Sequence, residues 1–382
     1  MCYLKKLQIM KILIDNSNLY AGGGIQVATS FLYDLITICD ENQYHVVQSV
    51  NSAKQINKLD FDKRFQFYDL TEKDKSILNR IKKLKEIEKQ IKPNVIFTVF
   101  GPSYHKSKFP KVVGFALGQV LYPKSPYFKK ISRLSNFKVK LTSYLKSYFF
   151  KKNSDVLIYE SDDANKIYST ITKNKIVGYT VSNTVNSVFF NCRGWREVNV
   201  GKSDLDILYL TANYPHKNME IIPKVIDKIL EIGKLENFRF HLSVTKEEMN
   251  FDEKYDQYIN YLGKVEIKQI PLLYKKMDML FMPTLLETFS TTYLEAMISE
   301  IPIVTSNMSF AKDICGDAAL YCEPLSATDY ATKISLLASH KELSNDLIEK
   351  GKVNLLRFGT SMDRTKKYLK ILEKHANANN QK

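Results

Sequence analysis

The sequence predicts an α/β protein with two doubly wound, parallel-sheet domains, and three observations carry that prediction. The chain has 382 residues, long for a single domain when about 150 residues is usual. Along both halves, short apolar runs alternate with amphipathic stretches, the rhythm of strands joined by crossover helices. That rhythm lapses once, over residues 183–202, where Asn, Cys, Arg, Gly, Trp and Val follow without a period.

In the first half, residues 10–14, 45–50, 95–100, 112–117, 156–159 and 176–181 read as strands. Ile77, Leu78, Ile81, Leu84, Ile87 and Ile91 recur at helical spacing, and Lys92-Pro93 ends that helix. Residues 25–39 read as another helix, following Gly22-Gly23-Gly24. Beyond the lapse, strands are expected at 206–210, 239–244, 279–282 and 301–305. Helices at 218–232, 267–277, 291–299 and 328–338 alternate with them. The expected domains are residues 1–190 and 204–358. Residues 359–382 form a last helix that packs back across the domains, with a polar frayed tail. Ligands of such folds sit at the carboxyl ends of the strands, here in an inter-domain cleft.

Apolar residues at 44% can build packed cores, and charged residues at 25% exclude a disordered or fibrous chain. Five cysteines form no CxxC pair and leave one thiol over, which fits a reducing compartment. Lys11 and Asp15 interrupt the first apolar run, so it reads as a buried strand and not a signal peptide. Nowhere do roughly 18 apolar residues run together. The expectation is a cytoplasmic protein, soluble or peripheral to a membrane.

The net charge of +15 is local. Residues 89–154 contain no Asp or Glu and 14 Lys and Arg, so the rest of the chain carries about one net positive charge. Within this stretch, residues 124–152 interleave nine Lys and Arg with aromatic and aliphatic side chains. Ile131, Leu134, Phe137, Leu141, Tyr144, Leu145, Tyr148 and Phe149 recur three or four apart. An apolar stripe flanked by Lys129, Lys130, Arg133, Lys138 and Lys140 suits a helix lying on an anionic membrane surface. The same cations could meet RNA, but no nucleic-acid motif accompanies them, and no nucleic-acid partner is expected.

The most informative stretch is residues 285–295, LLETFSTTYLE, between a strand and a Pro-containing strand. Ser290, Thr291 and Thr292 can open a helix, and the free amides of such a start suit an anion. Glu287 then lies in the strand-end loop and Glu295 about a turn into the helix, where a carboxylate can accept from a vicinal diol. A second element, Asn213-Tyr214-Pro215-His216-Lys217-Asn218, follows the strand at 206–210 and places Lys217 to neutralise a diphosphate. Gly23 and Gly24 let backbone approach a ligand closely. Gly263, in YLGKV, ends another strand. Asp204-Leu205-Asp206 has the look of a D-x-D metal motif but sits at a strand's amino end, and the six histidines show no ligand spacing. Neither a metal nor a cofactor is expected.

The order of strand, Glu287, seven residues, Glu295-Ala296-Met297 and then Ile301-Pro302 resembles the signature of the retaining GT-B glycosyltransferases of the large family four, glycosyl transferases group 1. The likeness runs from Asp204 to about Leu337, more weakly over the N-terminal half, and points to the capsule and O-antigen type. It implies two Rossmann-like domains and a nucleotide-diphosphate sugar donor. It also implies that Glu287 contacts the donor sugar, that the amides of Phe289, Ser290, Thr291 and Thr292 approach sugar and phosphate, that Lys217 binds the diphosphate and that Glu295 binds the ribose. Asn213, Gly23, Gly24 and Gly263 would line the donor site. The chain departs from the pattern at Thr288, Ser290 and Glu300, where glycines are usual, and at Ala212 or Asn213 in place of an arginine. No histidine ends the strand at 112–117, and Gln119 is the candidate there on the acceptor side. The family implies retention by a front-face mechanism that needs no metal. The expected acceptor is a lipid-linked or saccharide precursor of a surface polysaccharide, on the inner face of the cytoplasmic membrane. A GT-B-shaped nucleotide-sugar epimerase and an inactive membrane-bound adaptor that binds a nucleotide-sugar are the alternatives.

Overall fold

A computed structural model describes residues 9–378. The final residues of the expected tail, 379–382, lie outside the described residues. The chain divides into two compact units. Unit one gathers the described part of Met1–Val120 with Leu141–Asn183 and the described part of Thr360–Lys382. Unit two holds Leu121–Lys140 and Thr184–Gly359.

Unit one is built on seven parallel strands: β1 (Lys11–Asn16), β2 (Gln43–Gln48), β3 (Phe65–Asp69), β4 (Val95–Thr98), β5 (Lys111–Phe115), β6 (Val156–Tyr159) and β7 (Val177–Thr180), in the order β3-β2-β1-β4-β5-β6-β7. The inner strands are buried on both faces, as a parallel sheet covered by helices requires. Alternate side chains serve opposite faces. Ile12, Ile14, Val46 and Phe97 meet Phe31 and Leu35 of the helix Gly23–Thr37 and Leu369 and Leu372 of the helix Ser361–Ala378. Leu13, Val47 and Ile96 face the other way, onto Leu84, Ile87 and Ile91 of the helix Ile77–Ile91. The last helix therefore belongs to the core of unit one. At β5, Gly114 is required by close approach, since a Cβ there would lie 1.9 Å from the Val99 carbonyl oxygen.

Unit two carries six parallel strands: β8 (Leu205–Tyr209), β9 (Phe238–Leu242), β10 (Ile259–Tyr261), β11 (Met279–Met282), β12 (Ile303–Ser306) and β13 (Ala319–Cys322). Their order is β10-β9-β8-β11-β12-β13. The strand order of each sheet reverses once, between β1 and β4 in unit one and between β8 and β11 in unit two.

The structure differs from the sequence expectations in definite places. The edge strands β3 and β13, absent from the expectations, are only partly covered, and Gln66 and Asp69 interrupt the apolar run of β3. The helix expected from 218 begins at Ile222, because Asn218 is left-handed with φ 58° and Pro223 opens the first turn. Residues 121–140, expected in the first domain, cluster with unit two. The basic segment is not one helix. A short helix, Tyr127–Lys130, is followed by the long helix Arg133–Asn153.

The helix Thr291–Ile298 ends in a Schellman motif: the amide of Ile301 donates to the Ala296 carbonyl at 3.1 Å and that of Glu300 to Met297 at 3.2 Å. Glu300 must then be left-handed, with φ 57°. This is the position where the resembling family has glycine. A side chain there costs roughly 1–2 kcal/mol, and the ion pair of Glu300 with Lys352 at 2.9 Å is too exposed to offset it. Glu300→Gly is expected to stabilise the protein by about 1 kcal/mol, read as a higher midpoint in thermal or urea unfolding. An unchanged or lower midpoint would show that no strain resides at this turn.

Candidate functional site

At the strand reversal of unit two, the loops after β8 and β11 leave the carboxyl ends of neighbouring strands in opposite directions. Such a point is where doubly wound sheets hold ligands. The β8 loop carries Asn213, His216 and Lys217, and the β11 loop carries Glu287, Phe289 and Ser290. The structure brings the two expected charges together: the Lys217 ammonium donates to the Glu287 carboxylate, and both side chains are largely buried.

Backbone and side-chain hydrogen bonds fix this arrangement. The Leu285 amide donates to the His216 carbonyl at 2.8 Å, tying one loop to the other. The Tyr209 hydroxyl, from the end of β8, donates to the Lys217 carbonyl at 2.5 Å. Asn218, fully buried, donates through its amide nitrogen to the carbonyls of Pro283 and Pro324, each at 3.2 Å. Its left-handed backbone turns the chain immediately after Lys217. His216 stacks on Tyr214 with ring centroids 5.6 Å apart. Desolvation and then the neighbouring Lys217 push its pKa down, so it stands neutral beside the pair.

Ser290 occupies the N-cap of the helix Thr291–Ile298, in ordinary extended backbone and with no side-chain cap bond. A glycine is therefore not needed there for conformation, and the first-turn amides keep their capacity to bind an anion. Phe289 is buried against Phe358 with centroids 5.8 Å apart. Thr291 and Thr292 are half-buried in the first turn, and the Tyr274 hydroxyl donates to the Thr292 carbonyl at 3.3 Å. The same hydroxyl lies 3.3 Å from the Glu295 carboxylate.

Other expected residues lie elsewhere. Asn213 donates its side-chain amide to the Glu248 carbonyl at 2.7 Å. Gly263 follows β10 in a left-handed turn, φ 63°. Gly23 and Gly24 open the helix Gly23–Thr37 of unit one. Gln119 is half-buried in the short helix Gly118–Leu121. Asp206 accepts from buried His241 at 2.9 Å and pairs with Lys202 at 3.0 Å, so it is occupied inside unit two. Lys130 corrects an expectation: counted as membrane-facing, its ammonium instead bonds the Asn218 side-chain oxygen and pairs with Glu220 at 2.6 Å. Lys129, Arg133, Phe137, Lys138 and Lys140 lie on exposed surface.

Comparison with known proteins falls on this geometry. Anabaena HepE, solved in complex with UDP and glucose, superposes at a TM-score of 0.66 and 12% identity, covering 96% of this chain and 100% of that one. The chain has the GT-B fold. Within that GT-B chain, residues 196–354, which include the paired loops, match the family model described as Glycosyl transferases group 1. An O-antigen chain mannosyltransferase B of Escherichia coli is 36% identical over 67 residues, 18% of each chain. An uncharacterized 41.2 kDa protein in the cps region of Klebsiella pneumoniae is 24% identical over 194 residues, 50% of this chain and 53% of that one. The matches thus span about a fifth and about half of these relatives' lengths.

Glu295 makes the site pH-sensitive. Burial raises its pKa to about 7, against the opposing hydrogen bonds of Tyr274 and Thr291. The folded protein holds a proton on this carboxyl that the unfolded chain has lost, so stability falls as pH rises from the ordinary glutamate range to about 7. At about 1.4 kcal/mol for each pKa unit, the loss is on the order of 3 kcal/mol. Urea unfolding across pH 4–8 should show this slope in wild type and not in Glu295→Gln. Equal slopes would mean that Glu295 stays ionised throughout.

Proposed function

We propose that the chain is a glycosyltransferase that takes a sugar from a nucleotide-diphosphate donor, and that the loops after β8 and β11 hold that donor. The observation that carries the reading is the Lys217–Glu287 pair at the strand reversal of the unit that matches the group 1 model. Lys217 binds the diphosphate and stabilises its charge as the sugar departs. The amides of Phe289, Ser290, Thr291 and Thr292 add the positive end of a helix. Glu287 contacts the sugar and Glu295 the ribose. Asn213 and Gly263 border strand ends of the same unit. Transfer proceeds with retention, the leaving phosphate oxygen taking the acceptor proton, and Gln119 serves the acceptor. Lys217 and the helix amides fill the place a metal ion takes in D-x-D enzymes.

The acceptor we propose is a lipid-linked precursor of a surface polysaccharide, met on the cytoplasmic face of the membrane. The helix Arg133–Asn153 supports this reading. It buries Ser143, Ser147 and Phe150 and leaves Leu134, Phe137 and Tyr144 64–70% exposed. A helix that turns Leu134, Phe137 and Tyr144 outward among cations suits a bilayer surface. Among the described residues no helix is long and apolar enough to cross a membrane.

Removal of Lys217 or Glu295 is expected to weaken donor binding by roughly 1.5–3 kcal/mol each. Glu287→Gln should lower kcat more than it raises the donor's KM. Steady-state kinetics on nucleotide-sugars with a saccharide acceptor provides the measurement, and wild-type values in all three variants would refute the assignment. Product from donor alone would indicate epimerisation, and loss of activity to a chelator, restored by manganese, would return a metal to the site.

Vesicle co-sedimentation tests the membrane reading. Binding should rise with anionic lipid and fall with salt, because screening shortens electrostatic reach to about 8 Å at physiological strength. Replacing Lys129, Arg133, Lys138 and Lys140 with Gln should abolish that dependence. Binding indifferent to lipid charge would reject it.

A further inference from the structure

We propose that Ser125, Tyr127 and Lys130 are positioning residues of the donor site, an inference that rests on the donor-site reading above. These residues belong to unit two although they stand about 90 to 160 positions from the loops they touch. Ser125, 3% exposed, donates its hydroxyl to the Leu285 carbonyl at 2.6 Å, two residues before Glu287. Tyr127 sets the edge of its ring against His216, with centroids 6.2 Å apart, next to Lys217. Lys130 donates to the side-chain oxygen of Asn218 on the other side of Lys217.

Hydrogen-bond bookkeeping at Asn218 gives Lys130 its weight. The amide nitrogen of Asn218 is used twice, on Pro283 and Pro324, so the side chain joins the β8, β11 and β13 loops. One acceptor remains, on a fully buried residue, and the Lys130 ammonium meets it. Without that donor the oxygen is buried and unsatisfied, a penalty relieved only by moving the loops. Glu220, exposed on its own side, holds the ammonium from outside. Segment 121–130 thus acts as a brace that sets the spacing of Lys217 and Glu287 without touching substrate.

The test titrates UDP and GDP by calorimetry into wild type, Lys130→Met, Lys130→Arg, Ser125→Ala, Glu220→Gln and Lys217→Ala, with amide hydrogen exchange on the free proteins. Lys130→Met is expected to weaken nucleotide binding about tenfold, with faster exchange at residues 211–218 and 284–288. Lys130→Arg should restore binding to within about threefold, because it keeps a charged donor for Asn218. Glu220→Gln should bind as wild type, since it leaves the Asn218 contact in place. Ser125→Ala should speed exchange at 284–288 alone. Should Lys130→Met fail to fold, Lys130→Arg and Ser125→Ala still report on the two loops. Wild-type binding and exchange in Lys130→Met and Ser125→Ala, with binding lost in Lys217→Ala, would overturn the brace and leave the donor site standing. Wild-type binding in Lys217→Ala, or no binding by wild type, would bring down the donor-site reading and the brace with it.

Discussion

Parallel pairing is the constraint on which both units depend. Every strand in both sheets pairs parallel to its neighbours, so the chain must cross back outside the sheet before each new strand. The crossovers bury both faces and make the central strands apolar throughout. They also send the polar work to the strand ends. Where strand order reverses, two adjacent loops part company and leave a place that no helix covers. The Lys217–Glu287 pair occupies that place in unit two. Its position follows from the ladder beneath it as much as from local sequence.

Two largely buried opposite charges have exchanged water for one another, and neither can be removed without stranding its partner. A phosphate entering beside Lys217 would meet an ammonium already pointed inward, with its solvent shell largely stripped. It would also have to compete with Glu287. In the proposed reaction that competition frees the carboxylate to turn towards the sugar as the lysine turns towards the diphosphate. Neutral His216 adds no further charge to the exchange. Asn218 ties its own loop to those after β11 and β13.

The sequence was a good guide wherever one local signal sufficed. Residues 156–159 and 279–282 were read as strands with their observed bounds, because they are buried on both faces and uniformly apolar. The helix from Ile77 to Ile91 was legible because Leu84, Ile87 and Ile91 recur on one face and Pro93 follows it. The edge strand β3 escapes such a reading because exposed Gln66 dilutes its apolar signal. At the site, Lys217, Glu287 and Glu295 stood out by their places at strand ends and a helix start, together with the resemblance to the group 1 signature. The bonds of Ser125 and Lys130 did not, since no local pattern marks a contact between residues 160 or 88 positions apart. The stripe of the helix Arg133–Asn153 reads as an outward face, and Leu134, Phe137 and Tyr144 are exposed, but nothing local marks Ser143 and Ser147 as the residues that pack inward.

The interleaving of the two units bears on how the chain comes off the ribosome. Unit one owns both the first strands and the last helix, and that helix brings Tyr368, Leu369, Ile371 and Leu372 to cover Phe31 and Phe97. Between Asn183 and Thr360 the ribosome makes only unit two. At about 5–20 residues per second, the nascent sheet waits on the order of ten to thirty seconds with that apolar face uncovered. For this interval an apolar face of the growing protein stays open, and a ribosome stalled in the second unit would release a chain that cannot close its first.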